Sequence, residues 1–238
     1  MWLAALDASE QMALADATIH IRTFRLLGYA YCELGCHDEG VGYLERALEL
    51  AERHRDATEQ AHVHRLLTRV WGYRGDFRRA LDHAEKALDH FQAIEDPGPE
   101  AEALNAAGWC NAVLGEYDTA HARCQAALDL FRRLRDTDGE AATLDSLGYI
   151  EHHSGRHDCA VSNYTRAIAL QRELGDPRNE AETLENLGHS QAALGQYQDS
   201  GETFRRAHEL YLAQERDEEA RRIQQQIDML HHTHHGTG

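Results

Sequence analysis

Lysine is nearly missing from this sequence of 238 residues: Lys86 is the only one, and arginine supplies the remaining fixed positive charge. Positive charge is scarce altogether, with 24 basic against 41 acidic side chains and a formal net charge of −17. Binding to nucleic acid or to an anionic membrane draws most of its strength from Lys and Arg on phosphates, so neither is expected as a partner. Proline occurs three times and hydrophobic residues make up 42%, which together argue for a folded chain. No stretch approaches the roughly 20 apolar residues that a membrane helix needs. The first residues, MWLAALDASEQ, lack a basic segment followed by an apolar run, so no signal peptide is read there. Cysteine is sparse and odd in number (Cys32, Cys36, Cys110, Cys124, Cys159), which suits a reducing compartment. The expected location is the cytoplasm.

The usual sequence signs of catalysis are missing as well. No phosphate-cradling glycine loop, nucleophile elbow or HExxH motif occurs. The stretch LDSLGYIEHHSGRHDCA (144–160) gathers His152, His153, His157 and Cys159, which invites a metal reading. Its spacing does not support one. His153 and His157 straddle Gly155, and His152 and His153 are about 100° apart around a helix. Cys32 and Cys36 stand one helical turn apart with no second pair to complete four ligands, so both are assigned to core packing. Asp145-Ser146 has no positioned base. Neither a catalytic site, nor a metal, nor a cofactor is expected.

What is present is repetition. Stepping by forty from Gly35 gives Gly75, Gly115, Gly155 and Gly195; from Ala47 it gives Ala87, Ala127, Ala167 and Ala207; from Asp16 it gives Asp56, Asp96, Asp136 and Asp176. Gly28 recurs as Gly108, Gly148 and Gly188, with Thr68 the one interruption. Internal repeats decide the fold before any local motif does. Each period holds two apolar patterns of helical spacing. In the fourth, Leu144, Leu147, Tyr149 and Ile150 mark the first helix, and Ala160, Tyr164, Ala167 and Leu170 the second. The second glycine ends the first helix, and the Asp column opens the next; Thr137-x-x-Glu140 has the form of a capping box.

These columns resemble the tetratricopeptide repeat (TPR). In the first repeat its pattern falls on Phe24, Leu27-Gly28, Tyr31, Gly40, Leu44 and Ala47, and in the fifth on Leu184, Leu187-Gly188, Gln191, Ser200, Phe204 and Ala207. The resemblance implies an all-α, right-handed solenoid of helix–turn–helix repeats, in a variant with lengthened helices. The expected organisation is a helix of a truncated preceding repeat (1–16), five repeats (17–56, 57–96, 97–136, 137–176, 177–216), a capping helix (217–230) and a disordered His-rich tail (231–238). Thr68 departs from the close-packing glycine, and Trp71, Asn111, Glu151 and Gln191 vary an aromatic site.

In such stacks the first helices line a concave face. Transferred by register, the groove residues are Arg22, Arg25 and Tyr29; His62, Arg65, Arg69 and Tyr73; Glu102, Asn105 and Trp109; Asp145, Tyr149, His152 and His153; and Glu182, Glu185 and His189. The inferred groove is basic in its first two repeats, aromatic in the middle and acidic at its end. Arginines holding acidic groups, with Trp109 and Tyr149 as aromatic anchors, would make it a binding surface for a protein or peptide.

A closer resemblance lies in ALNAAGWCNAVLGEYDTAHARCQAALDLFRRL (103–134), GEAATLDSLGYIEHHSGRHDCAVSNYTRAIALQRELGD (139–176) and WLAALDAS (2–9). These look like the C-terminal region of actinobacterial antibiotic-regulatory proteins of the SARP type. That resemblance implies a non-catalytic, effector-sensing domain of a transcriptional regulator, whose partners include other domains of the same regulator. It brings no DNA- or nucleotide-binding function with it, because neither a winged-helix pattern nor a P-loop is present. Two other readings stand beside it. One is a small-molecule receptor built around Trp109, Tyr149 and His152. The other is a scaffold that self-associates, as a homodimer, through an open N-terminal helix.

Overall fold

The computed structural model describes the backbone of residues 2–235 and the side chains of residues 16–230. Among the described residues the structure is all helix: α1 (Trp2–Glu33), α2 (His37–Arg53), α3 (Ala57–Tyr73), α4 (Phe77–Ala93), α5 (Pro97–Val113), α6 (Tyr117–Leu134), α7 (Thr137–His153), α8 (His157–Leu174), α9 (Pro177–Ala193), α10 (Tyr197–Ala213) and α11 (Asp217–His235). None of these helices is long and apolar enough to cross a membrane. The chain divides into two compact units, Met1–Gly115 and Glu116–Gly238. In each, neighbouring helices pair as antiparallel hairpins stacked side by side.

The repeating columns explain the turns. Gly35, Gly75, Gly115, Gly155 and Gly195 all have φ between 73° and 84°, the left-handed conformation that costs glycine nothing. The other turn of each repeat uses Arg55, Glu95, Arg135, Gly175 and Glu215 in the same region, so only one of the two turn columns keeps its glycine throughout. From Asp56 onward the Asp column follows immediately and stands at the N-cap of α3, α5, α7 and α9, with a side-chain cap bond at all but Asp96. Asp56, Asp136 and Asp176 accept hydrogen bonds from the amides of Glu59, Gly139 and Asn179 at 3.0, 2.9 and 3.1 Å. The cap of α7 is therefore Asp136 and not Thr137, and Glu140 turns instead to Arg132 at 2.9 Å. Asp136→Ala is expected to cost about 1 kcal/mol, read as a lowered urea midpoint.

Two expected boundaries are corrected. No break occurs at Asp16: α1 runs unbroken from Trp2 to Glu33, because the approach to Asp16 is the helix-favouring ALA rather than a turn sequence. The tail expected to be disordered over 231–238 is helical as far as His235, since nothing before Gly236 interrupts α11; residues 236–238 lie outside the described residues.

Close approach within hairpins follows the glycine column. A methyl group added to Gly28 would meet Leu44 at 2.6 Å, one on Gly148 would meet the Tyr164 ring at 2.5 Å, and one on Gly188 the Phe204 ring at 2.6 Å. The register sets the exception, Thr68, against Ala84, so where the first helix is larger the second is smaller; both are buried. Around these contacts the first unit packs Ile21, Leu44, Val63, Leu67 and Trp71, and the second Tyr164, Leu184, Phe204, Tyr211 and Ile223. Glu151, in the aromatic column, is buried and held by Arg156 and by His121 Nε2 at 3.1 Å. None of the five cysteines forms a disulfide; Cys32, Cys110 and Cys124 are buried. Cys36 is exposed at the start of α2, which corrects its assignment to the core.

Candidate functional site

In the first unit the groove residues lie on α1, α3 and α5. They are joined across helices by ion pairs that span almost one repeat. Arg22 Nε donates to Glu59 Oε1 at 2.7 Å and Arg25 Nε to Glu59 Oε2 at 2.9 Å, so one buried carboxylate holds two guanidinium groups. Arg65 reaches Glu102 at 2.5 Å, and Arg69 reaches back to Glu33 at 2.6 Å. The basic end expected from the sequence is thus a ladder of Arg–Glu pairs, in which Glu33 and Glu59 are the members that the sequence reading overlooks. Arg69 also lies between two phenol rings, 5.3 Å from the centroid of Tyr29 and 5.9 Å from that of Tyr73, and donates weakly to Tyr73 Oη at 3.4 Å. Both rings are exposed. His62 is turned toward the core, edge-on to Phe91 at 5.4 Å, and burial together with Arg25 and Arg65 lowers its pKa. Asn105 and Trp109 are half-buried on α5.

The second unit carries the rest on α7 and α9. Thr183 donates to Asp145 Oδ1 at 3.0 Å and itself accepts from Gln171 Nε2 at 2.9 Å, a relay from second helix to groove. Enclosure of the Asp145 carboxyl raises its pKa to about 6, against the lowering effect of the Thr183 bond. Tyr149 stacks on His153 at 3.9 Å. His152 Nδ1 lies 2.9 Å from Ser190 Oγ, whose single proton already goes to the Asn186 carbonyl at 3.0 Å. His152 must therefore be the donor, which fixes its Nδ1–H tautomer and leaves Ser190 unactivated. Burial, then the neighbouring histidines, lowers His152 to about 4. Glu182 pairs with Arg216 at 2.9 Å. Glu185 takes both donors of Arg222, at 3.0 and 2.8 Å, and the Tyr211 hydroxyl at 2.8 Å. His189 packs edge-on against Phe204 at 5.0 Å. The acidic end is also paired, by Arg216 just before the last helix and Arg222 on it, neither of which sequence reasoning placed in the groove.

A family model described as tetratricopeptide repeat matches residues 20–93, 99–173 and 139–213. The chain belongs to the tetratricopeptide repeat family. No sequence among the curated proteins matches it significantly. Among solved structures, this TPR chain is similar to BtubC (BKLC) from P. vanneervenii, with 21% identity, a TM-score of 0.69, and coverage of 86% of this chain and 92% of that one. A Rap protein complexed with Competence and Sporulation Factor has 17% identity and a TM-score of 0.76 over 86% of this chain and 57% of its own. A signal-transduction ATPase with numerous domains (STAND) from Pyrococcus horikoshii, which carries a TPR sensor, has 15% identity and a TM-score of 0.67 over 89% and 36%. At these identities the likeness is one of fold.

As TPR surfaces, the first-helix faces of each unit offer arginines, carboxylates and aromatic rings already in contact with one another. Among the described residues no three His, Cys, Asp or Glu side chains converge to hold a metal. Burial pushes the Cys124 thiol up to about 12 and raises that of Cys32, so neither is a thiolate near neutrality. The Ser146 hydroxyl is spent on the Ala142 carbonyl at 3.1 Å. What the arrangement supports chemically is recognition by exchange of ion pairs and by aromatic contact.

Proposed function

We propose that the chain is a non-catalytic binding module that takes a protein or peptide segment on the faces of its first helices, and that it serves as the effector-sensing part of a SARP-like transcriptional regulator. The observation that carries this is the Tyr29–Arg69–Tyr73 assembly, two exposed phenol rings framing a guanidinium across two packed helices. Rigid aromatic and arginine side chains are the residues that anchor interfaces, because they add contact area at small entropic cost. Arg69 and Glu33 both stand partly in water, so a partner's carboxylate can take the place of Glu33 without stranding a buried charge. Arg25 is different. Glu59 beneath it is enclosed, and Arg25→Glu would set two carboxylates together and disrupt the face itself.

Fold likeness to a Rap protein complexed with Competence and Sporulation Factor, and to a STAND protein with a TPR sensor, supports a sensing role. So does the resemblance of 103–134 and 139–176 to SARP-type regulators. The partner acts by favouring one interdomain arrangement of the regulator over another.

The test immobilises wild-type protein and a Tyr29→Ser, Tyr73→Ser variant, exposes both to cytoplasmic extract of the source cell, and identifies bound proteins by mass spectrometry. A partner held by wild type and reduced at least about tenfold by the variant, with unchanged helical circular dichroism, is the expected outcome. A partner held equally by both places the interface elsewhere and defeats the groove reading.

A further inference from the structure

One face of α1 is dressed for burial and stands in water. Ile19 is 62% exposed, Leu26 59%, Leu27 38% and Leu34 78%. Thr23 and Ala30, between them on the same face, are exposed as well. Leu34 follows the last residue of α1, yet its amide still bonds to the Ala30 carbonyl at 3.2 Å, so it extends the same stripe. In the later first helices the positions that match Thr23 and Leu27 of this stripe are all buried. The counterparts of Thr23 are Val63, Ala103, Thr143, Thr183 and Ile223; those of Leu27 are Leu67, Ala107, Leu147, Leu187 and Ile227. There the cover is the second helix of the preceding hairpin, as when Gln171 of α8 caps Thr183 of α9.

The α1 stripe has a property that its counterparts lack: it reads the same in both directions. Large residues stand at its ends (Ile19, Leu34) and centre (Leu26, Leu27), and small ones between them (Thr23, Ala30). We propose that this face is the contact between two copies of the chain, with the two α1 helices antiparallel about a two-fold axis beside Leu26 and Leu27. That axis sets Ile19 of one copy against Leu34 of the other, Thr23 against Ala30, and Leu26 against Leu27. Thr23 and Ala30 let the helices approach closely between the leucines. A two-fold contact requires one patch to complement itself, which a palindromic stripe does. Charge agrees. Arg22 and Glu33 lie on one flank of the stripe, and antiparallel pairing brings each opposite the other at both ends. Their intramolecular partners leave them largely exposed, with side-chain accessibilities of 60% and 45%.

The centre of the stripe lies a quarter-turn or more around α1 from Arg22, Arg25 and Tyr29, so the paired leucines leave the Tyr29–Arg69–Tyr73 assembly open, while Arg22 and Glu33 flank both surfaces. The inference is independent of what the groove binds.

Light scattering across protein concentrations from about 1 to about 100 µM, the range of modest homodimers, provides the first readout. The mass is expected to rise from 26.9 kDa toward twice that value. Leu26→Glu places two carboxylates beside the axis and should weaken association at least about tenfold without loss of helical signal, since Leu26 makes little contribution to the core. Geometry is read separately in a Cys36→Ser, Cys159→Ser background. Leu26→Cys should form a disulfide between copies under mild oxidation. Leu34→Cys should not, since its mate lies about 22 Å away along the paired helices. A constant monomer mass, a dimer untouched by Leu26→Glu, or cross-linking through Leu34→Cys alone would each overturn the proposal.

Discussion

Gly148→Thr is expected to lose about 3 kcal/mol of stability, and Tyr164→Ala about 4 kcal/mol, while the double variant loses about 2 kcal/mol less than their sum. The first change forces a side chain into space that the Tyr164 ring occupies, 2.5 Å from where its Cβ would begin. The ring cannot swing aside, because Tyr164 is fully buried in the core of the second unit. The second change removes that ring and leaves a cavity. Together they rebuild in the fourth repeat the pair that the second already uses, Thr68 over Ala84. Chemical denaturation followed by circular dichroism gives all four corners of the cycle. Strict additivity would mean that the two positions do not share space, and the size-exchange account of Thr68 would fail with it.

Acid should weaken the first unit more than the second. His64 is buried, with Nδ1 2.9 Å from His83 Nδ1 and its ring stacked 5.9 Å from that of His90. Burial first, then the charges of His83, His90 and Lys86, lowers its pKa to about 4, with Asp82 pulling the other way. A histidine held below its ordinary value near 6.5 is neutral in the folded state. Its contribution is complete above about pH 6.5 and is lost as pH falls toward 4, amounting to about 3 kcal/mol for His64. His62 and His83, in the same unit, are lowered too, burial being the main cause for both.

In the second unit His152 and His189 act in that direction, but Asp145 opposes them. Its pKa is raised to about 6, so its contribution is complete below the ordinary aspartate value near 3.9 and is lost as pH rises through 6. Hydrogen exchange resolved by mass spectrometry at pH 7 and pH 4.5 separates the two units. Protection lost earlier in α3 and α4 than in α7 to α9 is the expected result, and His64→Phe should shrink the difference. Equal loss in both units would contradict it.

The helices were legible because each follows from a column that recurs: glycine where the chain must turn left-handed, aspartate where amides need a cap, alanine where second helices pack. Asp16 shows the limit of that logic. A capping residue marks a helix start only when the preceding residue turns, and Ala15 does not. The groove positions were legible in the same way, but their chemistry was not. Arg22, Arg25 and Glu59 look like three independent surface charges until the stagger of neighbouring helices brings them within 2.9 Å. That stagger depends on helix-to-helix packing and leaves no mark in any single column. The same is true of Glu182 and Glu185, which read as an acidic end and are paired by Arg216 and Arg222. His62 shares a face with arginines by count, yet its ring finds Phe91.

The two kinds of pairing behave differently when a hairpin is copied in a genome. A glycine and the ring it admits, Gly148 with Tyr164 or Gly188 with Phe204, belong to one hairpin and travel together in any duplication. An arginine and its glutamate sit on adjacent hairpins, 34 to 37 residues apart, so a duplication gives each new junction a partner chosen for another place. Hairpins are therefore inherited whole, and their order in the array has to be written afterwards, one ion pair at a time.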